Sequence, residues 1–321
     1  MRRRPLYPVL GMLLALCGCA GTGPTASLAG LDERPAVELT EVPFHPQQRY
    51  QCGPAALATM LGWSGADTSP ETLADRLYIP ARQGSLQPEL MAQARQHGRL
   101  VYRIPAEPHA LLDELQAGHP VLVLQNLGLR WWPVWHYAVV IGYEPERGEL
   151  ILRSGTIRRH RVRLATFLRT WKRGDSWGVV TLRPGQLPAS AEPRRYLAAA
   201  FDLEASGFGA PAETAYRAGI ERWPSYPGLR LALANRRLAT AGPAAAVPIL
   251  EQGIAAGAED GALYNNLALL LAELERWDEA EIYARRAVRA GGPHLDEFRN
   301  TLDEICRRRP TGRCAPQEPL S

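Results

Sequence analysis

Alanine recurs at a fixed interval in the last third of the chain. Ala200, Ala234 and Ala268 stand 34 residues apart, and so do Ala212, Ala246 and Ala280. Around them the composition shifts to Ala, Leu, Glu and Arg, residues that favour helices. A small side chain where one helix meets the next, and another where the second helix packs back, lets two helix axes approach closely. A helix pair repeated at a fixed period cannot bury its apolar face alone, so the copies must stack on one another. This spacing dictates an all-α array over residues 196–305, and it carries no catalytic side chain.

The region ahead has a different texture. Residues 39–183 open with helical patterns and pass to strands. A helix is expected from Cys52 to about Leu61. "SPETLADRLYI" shows a Ser cap, a Pro at the first position and an early Glu. "LQPELMAQARQHG" reads as a further helix ending at Gly98. Then come "RLVYRI", "PVLVLQN", "HYAVVIGYE", "GELILRS" and "WGVVTL", five strand-like runs, with a hairpin turn at Glu146–Gly148 between the third and fourth. Helices followed by an antiparallel sheet predict an α+β domain. Residues 184–195, proline-bearing and aperiodic, read as a linker, and residues 306–321 as a tail. A chain of 321 residues accommodates two such domains, and 46% hydrophobic against 22% charged residues is a globular composition.

The N-terminus reads "MRRRPLYPVLGMLLALCGCAG". Arg2, Arg3 and Arg4 precede a short apolar run, Val9 to Leu16, too short to span a bilayer well. Leu16-Cys17-Gly18-Cys19 resembles a bacterial lipobox. That resemblance implies a signal peptide over residues 1–18, acylation of Cys19, and a tether over residues 19–38. Ala20 in place of Asp after the cysteine implies the periplasmic face of an outer membrane. Loss of residues 1–18 would remove three arginines and no acids, leaving 34 basic against 33 acidic residues. No basic excess remains to argue for nucleic acid as a partner. In an oxidising compartment Cys306 and Cys314, eight residues apart, are expected to pair. Cys52 is then left without a partner, either as an inert core thiol or for its chemistry.

Cys52 lies in "QQRYQCGPAALATML". With Pro54 in the first helical turn, the cysteine sits at a helix N-terminus, where peptide dipoles and free N–H groups favour thiolate. Gly53 has no side chain to block an approaching substrate backbone. A cysteine nucleophile needs a base, usually histidine. His45 is close in sequence and would have to fold back. His97 ends a helix. His109, His119, His160 and His294 sit in polar or turn-like surroundings and are expected to be solvated. His136 heads the apolar strand "HYAVVIGYE", a well-held place for a ring, whether catalytic or capped by a backbone carbonyl. An oxyanion needs donors; the Cys52 N–H and an amide from Gln47, Gln48 or Gln51 are available. Trp131, Trp132 and Trp135 precede His136, as the wall of a substrate groove or as a hydrophobic plug. No His/Cys cluster has metal-ligand spacing, and no cofactor is implied.

Together "VPFHPQQRYQCGPAALATML" and "HYAVVIGYE", 84 residues from cysteine to histidine, resemble the papain-like cysteine peptidases of the bacteriocin-processing, double-glycine-leader family. The likeness is to lipoprotein members with C-terminal tetratricopeptide repeats, which "YNNLALLLAELERWDEAEIYARRAV" resembles. It implies a papain-like domain over residues 39–183 that cleaves peptide bonds through an acyl-enzyme, with Cys52 as nucleophile and His136 as general base. Because position 46 is proline, Gln47 matches the oxyanion glutamine, with Gln48 and Gln51 as fallbacks. The orienting Asp expected after the next strand is missing, and Arg153 and Ser154 stand there. A Cys-His dyad of reduced vigour follows as an expectation. A weak or inactive peptide-binding module of the same fold is the alternative, and acyl transfer to an amine a third reading. Expected partners are a peptide or protein substrate, a protein bound by the repeats, and the membrane through the lipid.

Overall fold

The computed structural model describes residues 30–310 except Asp32, residues 48–50 and Gln83, together with Gly312 and Cys314. The lipobox with Cys19, and Gln48, lie outside the described residues.

A single antiparallel sheet organises the first half. Its strands are β1 (Val37–Glu38), β2 (Leu100–Arg103), β3 (Val121–Asn126), β4 (Trp135–Glu144), β5 (Glu149–Ser154), β6 (Ile157–Arg163) and β7 (Gly178–Leu182), in the order β2-β7-β3-β4-β5-β6. β4 is long enough to take two partners on one side: β3 along its first half and β1 at Gly142–Tyr143. Four helices precede or interrupt the sheet, α1 (Cys52–Trp63), α2 (Pro70–Leu77), α3 (Gln87–Gln96) and α4 (Pro108–Gln116), and α5 (Leu164–Lys172) joins β6 to β7. Ser69 caps α2 by accepting from the Thr72 N–H at 3.3 Å, as its sequence signature predicts. The five expected strands all form. β1, β6, α4 and α5 were not expected.

The two sheet faces bury different sets of residues, as the period of two requires. One face of β4 and β3 presents Tyr137, Val139, Ile141, Leu122 and Leu124 to α1. This helix has no exposed side, for Gly53 to Leu61 are all buried, which accounts for its apolar sequence all round. The other face presents Ala138, Val140, Val121 and Val123 to Leu111, Leu112 and Leu115 of α4 and to Phe167 and Trp171 of α5.

Seven helices follow: α6 (Pro193–Ala205), α7 (Gly209–Arg222), α8 (Pro227–Ala241), α9 (Pro243–Ala255), α10 (Gly261–Glu273), α11 (Trp277–Ala290) and α12 (Leu295–Arg308). The six regularly spaced alanines are all buried, so each lies where helices meet. α12 runs past residue 305 to Arg308, and Cys306 on it forms a disulfide with Cys314.

The helical region is fused to the sheet. α6 packs along β2, and Tyr196, Ala199 and Leu203 share one apolar cluster with Leu100, Tyr102 and Leu111. Segment 184–195 is held across this junction. Glu114, fully buried, accepts from the backbone N–H groups of Ala189 (3.0 Å) and Ser190 (2.9 Å) and from the Ser190 hydroxyl (2.6 Å). Its second oxygen also meets His119 Nδ1 at 2.7 Å. His119 is therefore buried in this cluster, where a solvated ring was expected.

Candidate active site

The N-terminus of α1, the start of β4 and the end of β5 come together at one end of the sheet. Cys52 opens α1, with Gln51 as its cap residue and the Ala55 N–H donating to the Gln51 carbonyl at 3.1 Å. α1 lies across β4 so closely that the Tyr137 backbone N–H is directed at the Cys52 sulfur, as are the N–H groups of Gly53 and of Cys52 itself. The sulfur thus rests against the residue next to His136. Val139 lies opposite Arg153 on β5, which brings Ser154 diagonally beside His136. Ser154 Oγ stands 2.8 Å from His136 Nε2. The hydroxyl occupies the position where a carboxylate was expected, and it engages Nε2, not Nδ1.

A cavity of about 10 Å³ lies beside Cys52 and is lined by Cys52, Gln47, Ser154, Tyr137, Arg153 and His45; His136 is not among its lining residues. This is room for about one water-sized oxygen. Gln47 is fixed at its rim by its own backbone N–H, which donates to the Gly155 carbonyl at 3.0 Å. Gln51 serves as the cap residue of α1 and does not line the cavity.

Electrostatics at the site differ from the expectation of a thiolate. Burial pushes the Cys52 thiol up, and the three backbone N–H groups only partly oppose it. Burial also pulls the His136 imidazole below its ordinary value, and the nearby His160 pulls it the same way. The helix dipole acts on a sulfur that has lost most of its water, and the desolvation cost is the larger effect. Both shifts run against the thiolate and imidazolium expected from the helix terminus.

Two further expectations change. The space beside Gly53 is not open to substrate, since a Cβ there would meet the Ser85 hydroxyl at 2.8 Å. This glycine lets the 84–86 segment close over α1, and the Tyr137 hydroxyl donates to the Ser85 carbonyl across the same junction at 3.3 Å. Trp131, Trp132 and Trp135 form no plug, because all three indoles are exposed.

Arg153 was noted in the sequence only as a departure, and the structure gives it work. It is buried, and its guanidinium donates to the carbonyls of Val42 (2.8 and 3.1 Å), Thr40 (3.0 Å) and Arg158 (2.6 Å). Those bonds fix the segment that leads to His45 and Gln47. The signal was present: in "ELILRS" an arginine falls two residues after the inward-facing Ile151, where alternation calls for an apolar side chain. His45, set aside for its nearness in sequence, also lines the cavity.

Residues 39–174 match the Peptidase_C39 like family. The cavity and all the residues just described lie inside this C39-like region. A chain from Bacillus anthracis described as a C39-like peptidase is similar at 18% identity, over 47% of this chain and 98% of its own, with a TM-score of 0.39. The peptidase domain of Streptococcus ComA, a bi-functional ABC transporter in a quorum sensing pathway, shows 22% identity over 44% and 98%, at 0.38. YrrB, a TPR protein with an unusual peptide-binding site, shows 22% over 37% and 61%, at 0.33. No curated protein matches the chain.

Proposed function

We propose that the chain is a lipid-anchored cysteine peptidase of the cell envelope, held at Cys19 on the periplasmic face of the outer membrane. Cys52 attacks a peptide carbonyl while His136 Nδ1 takes the thiol proton in the same step. The ring then gives that proton to the leaving amine, and water resolves the acyl-enzyme. Gln47 and the backbone N–H groups at the head of α1 serve the oxyanion, for which the cavity has the right size. Ser154 orients the ring from Nε2. Helices α6–α12 act as tetratricopeptide repeats that recruit a protein substrate or partner. The reading rests above all on one observation, the convergence of Cys52, the strand led by His136, Ser154 and Gln47 around one oxygen-sized cavity within the C39-like region.

Comparing the envelope proteome of a wild-type strain with a Cys52→Ala strain tests it. Loss of defined cleavage products is expected; identical cleavage patterns would remove the proposal. A second reading is favoured by the burial that pushes the thiol up and by the missing carboxylate: the same site holding a peptide without turnover. Mass spectrometry of the protein quenched during exposure to substrate separates the two, since only turnover adds an acyl group to Cys52.

A further inference from the structure

Nine large hydrophobic residues are exposed among the described residues, and seven of them lie at one end of the sheet. Leu127, Leu129, Trp131, Trp132, Val134 and Trp135 belong to the hairpin joining β3 to β4, and Ile157 opens the neighbouring strand β6. Trp131 and Trp132 are 80% and 75% exposed. This is the end that carries Cys52, His136 and Ser154.

The hairpin is built, not loose. Leu127 N–H donates to the Val134 carbonyl at 2.8 Å, and Leu129 and Trp132 exchange bonds at 3.1 and 3.2 Å, which leaves Arg130 and Trp131 as the tip. Asn126 Oδ1 accepts from the N–H groups of Gly128 (2.9 Å) and Val134 (3.0 Å), and Arg173 donates to the Asn126 carbonyl. Only glycine fits at 128, where a Cβ would stand 2.3 Å from the Trp132 carbonyl. The fold therefore holds bare indoles outward by specific bonds. Around them the exposed charges are mostly basic: Arg130 at the tip, Arg158 beside Ile157, and Lys172 at the end of α5, against Asp175 alone.

We infer that this end of the sheet docks on a phospholipid surface, with the indoles at the headgroup level and the basic residues against anionic lipid. Indoles with an apolar body and a polar N–H favour that boundary, and flanking Arg and Lys add attraction to anionic headgroups. Indoles that stand out at a tip suit a surface better than a peptide, which would be gripped in a groove. One supporting argument rests on the lipid-anchor reading: eleven residue steps lead from Cys19 to Gly30, and they reach at most about 40 Å. The catalytic end would then face the bilayer, and the peptide bonds available to it would be those presented at the lipid surface.

The test uses the full chain on vesicles of phosphatidylethanolamine and phosphatidylglycerol whose acyl chains carry bromine, which quenches indoles that enter the boundary. The mass of the N-terminal peptide reports lipidation separately, so failure of the anchor and failure of the docking are distinguished. Wild type should be quenched, and more weakly at high salt. Trp131→Ser/Trp132→Ser should retain about a third of the quenching, since one of the three boundary indoles remains. Arg130→Glu, which leaves every indole in place, should also weaken it. No quenching of wild type, or equal quenching in the double variant, overturns the inference. So does a double variant that keeps its quenching but loses cleavage of a soluble peptide, which would make the hairpin a substrate wall.

Discussion

Replacing Ser154 by Asp restores a carboxylate where the hydroxyl now faces His136 Nε2 at 2.8 Å. The hydroxyl can donate or accept, so it neither fixes the tautomer nor opposes the charge that appears when Nδ1 takes a proton. A carboxylate does both. An opposite charge at such a distance typically raises a histidine by about 1–3 pH units, or roughly 1.4–4 kcal/mol in favour of imidazolium. Transfer of the proton from Cys52 to His136 has an equilibrium constant set by the difference of their two pKa values. Raising the histidine alone raises the thiolate–imidazolium fraction by the same power of ten, about 10- to 1,000-fold. Iodoacetamide alkylation of Cys52 at pH 6 reads the thiolate fraction without needing the natural substrate, and Ser154→Asn supplies a neutral control of similar size. Asp should alkylate at least tenfold faster than wild type and Asn should not. If the Asp variant folds and reacts no faster, Ser154 is not linked through the ring to the sulfur, and the proposed relay is wrong.

In the wild type, with the thiol raised and the imidazole lowered, alkylation should climb about tenfold per pH unit from pH 6 to beyond the ordinary thiol pKa of about 8.5; a flat profile across that range would show a resting ion pair instead. Peptidase kcat/KM should fall on the acid side only below the ordinary histidine value of about 6.5, because the folded imidazole resists protonation; an acid limb above pH 7 contradicts the burial argument. Arg153→Met removes the donors to the Thr40 and Val42 carbonyls and should cost about 2–4 kcal/mol in denaturant unfolding, with a larger loss of activity than of stability because Gln47 follows that segment. Glu114→Gln keeps one acceptor at the junction but loses charge-assisted bonds, and should cost about 1–3 kcal/mol, with faster hydrogen exchange confined to residues 184–195 and their neighbours.

The parts of the fold legible in the sequence were those whose pattern is set by local chemistry. Ser69 before Pro70, the apolar run of β4, and alanines at a fixed interval each state their own structure. β6 was not legible because it is an edge strand: "IRRHRVR" meets solvent along one side, so its alternation is carried by arginines that pair with Glu38, Glu144 and Glu149. α4 and α5 passed unnoticed between strands of stronger signal. At the site, residue types could be named but not their environment. Thiolate was expected from the helix terminus; that Cys52 would be half-buried against Tyr137 depends on α1 lying flat on β4, which no local pattern announces. Gly53 was read as open space for the same reason, and Ser85, 32 residues away in the chain, fills it.

The same long-range packing fixes how any recruiting helices stand to the site. α6 is seated on β2, an edge strand, and β4 is the third strand over. At about 4.8 Å per strand, the sideways offset from the α6 edge to the strand of His136 is near 15 Å. The thickness of the sheet adds to that path, since α6 shares the apolar cluster of α4 and α5 while α1 packs on the other face. Because Tyr196, Ala199 and Leu203 share a core with Leu100 and Tyr102, the offset does not drift with a flexible hinge. A segment gripped on the exposed side of α6, where Phe201 stands out, would present its continuation to Cys52 at a set spacing. The clamp at Glu114 holds that spacing. When it is loosened, a protein bound by the helices should be cut with a raised KM and an unchanged kcat, while a short peptide that never touches α6 should be cut as before.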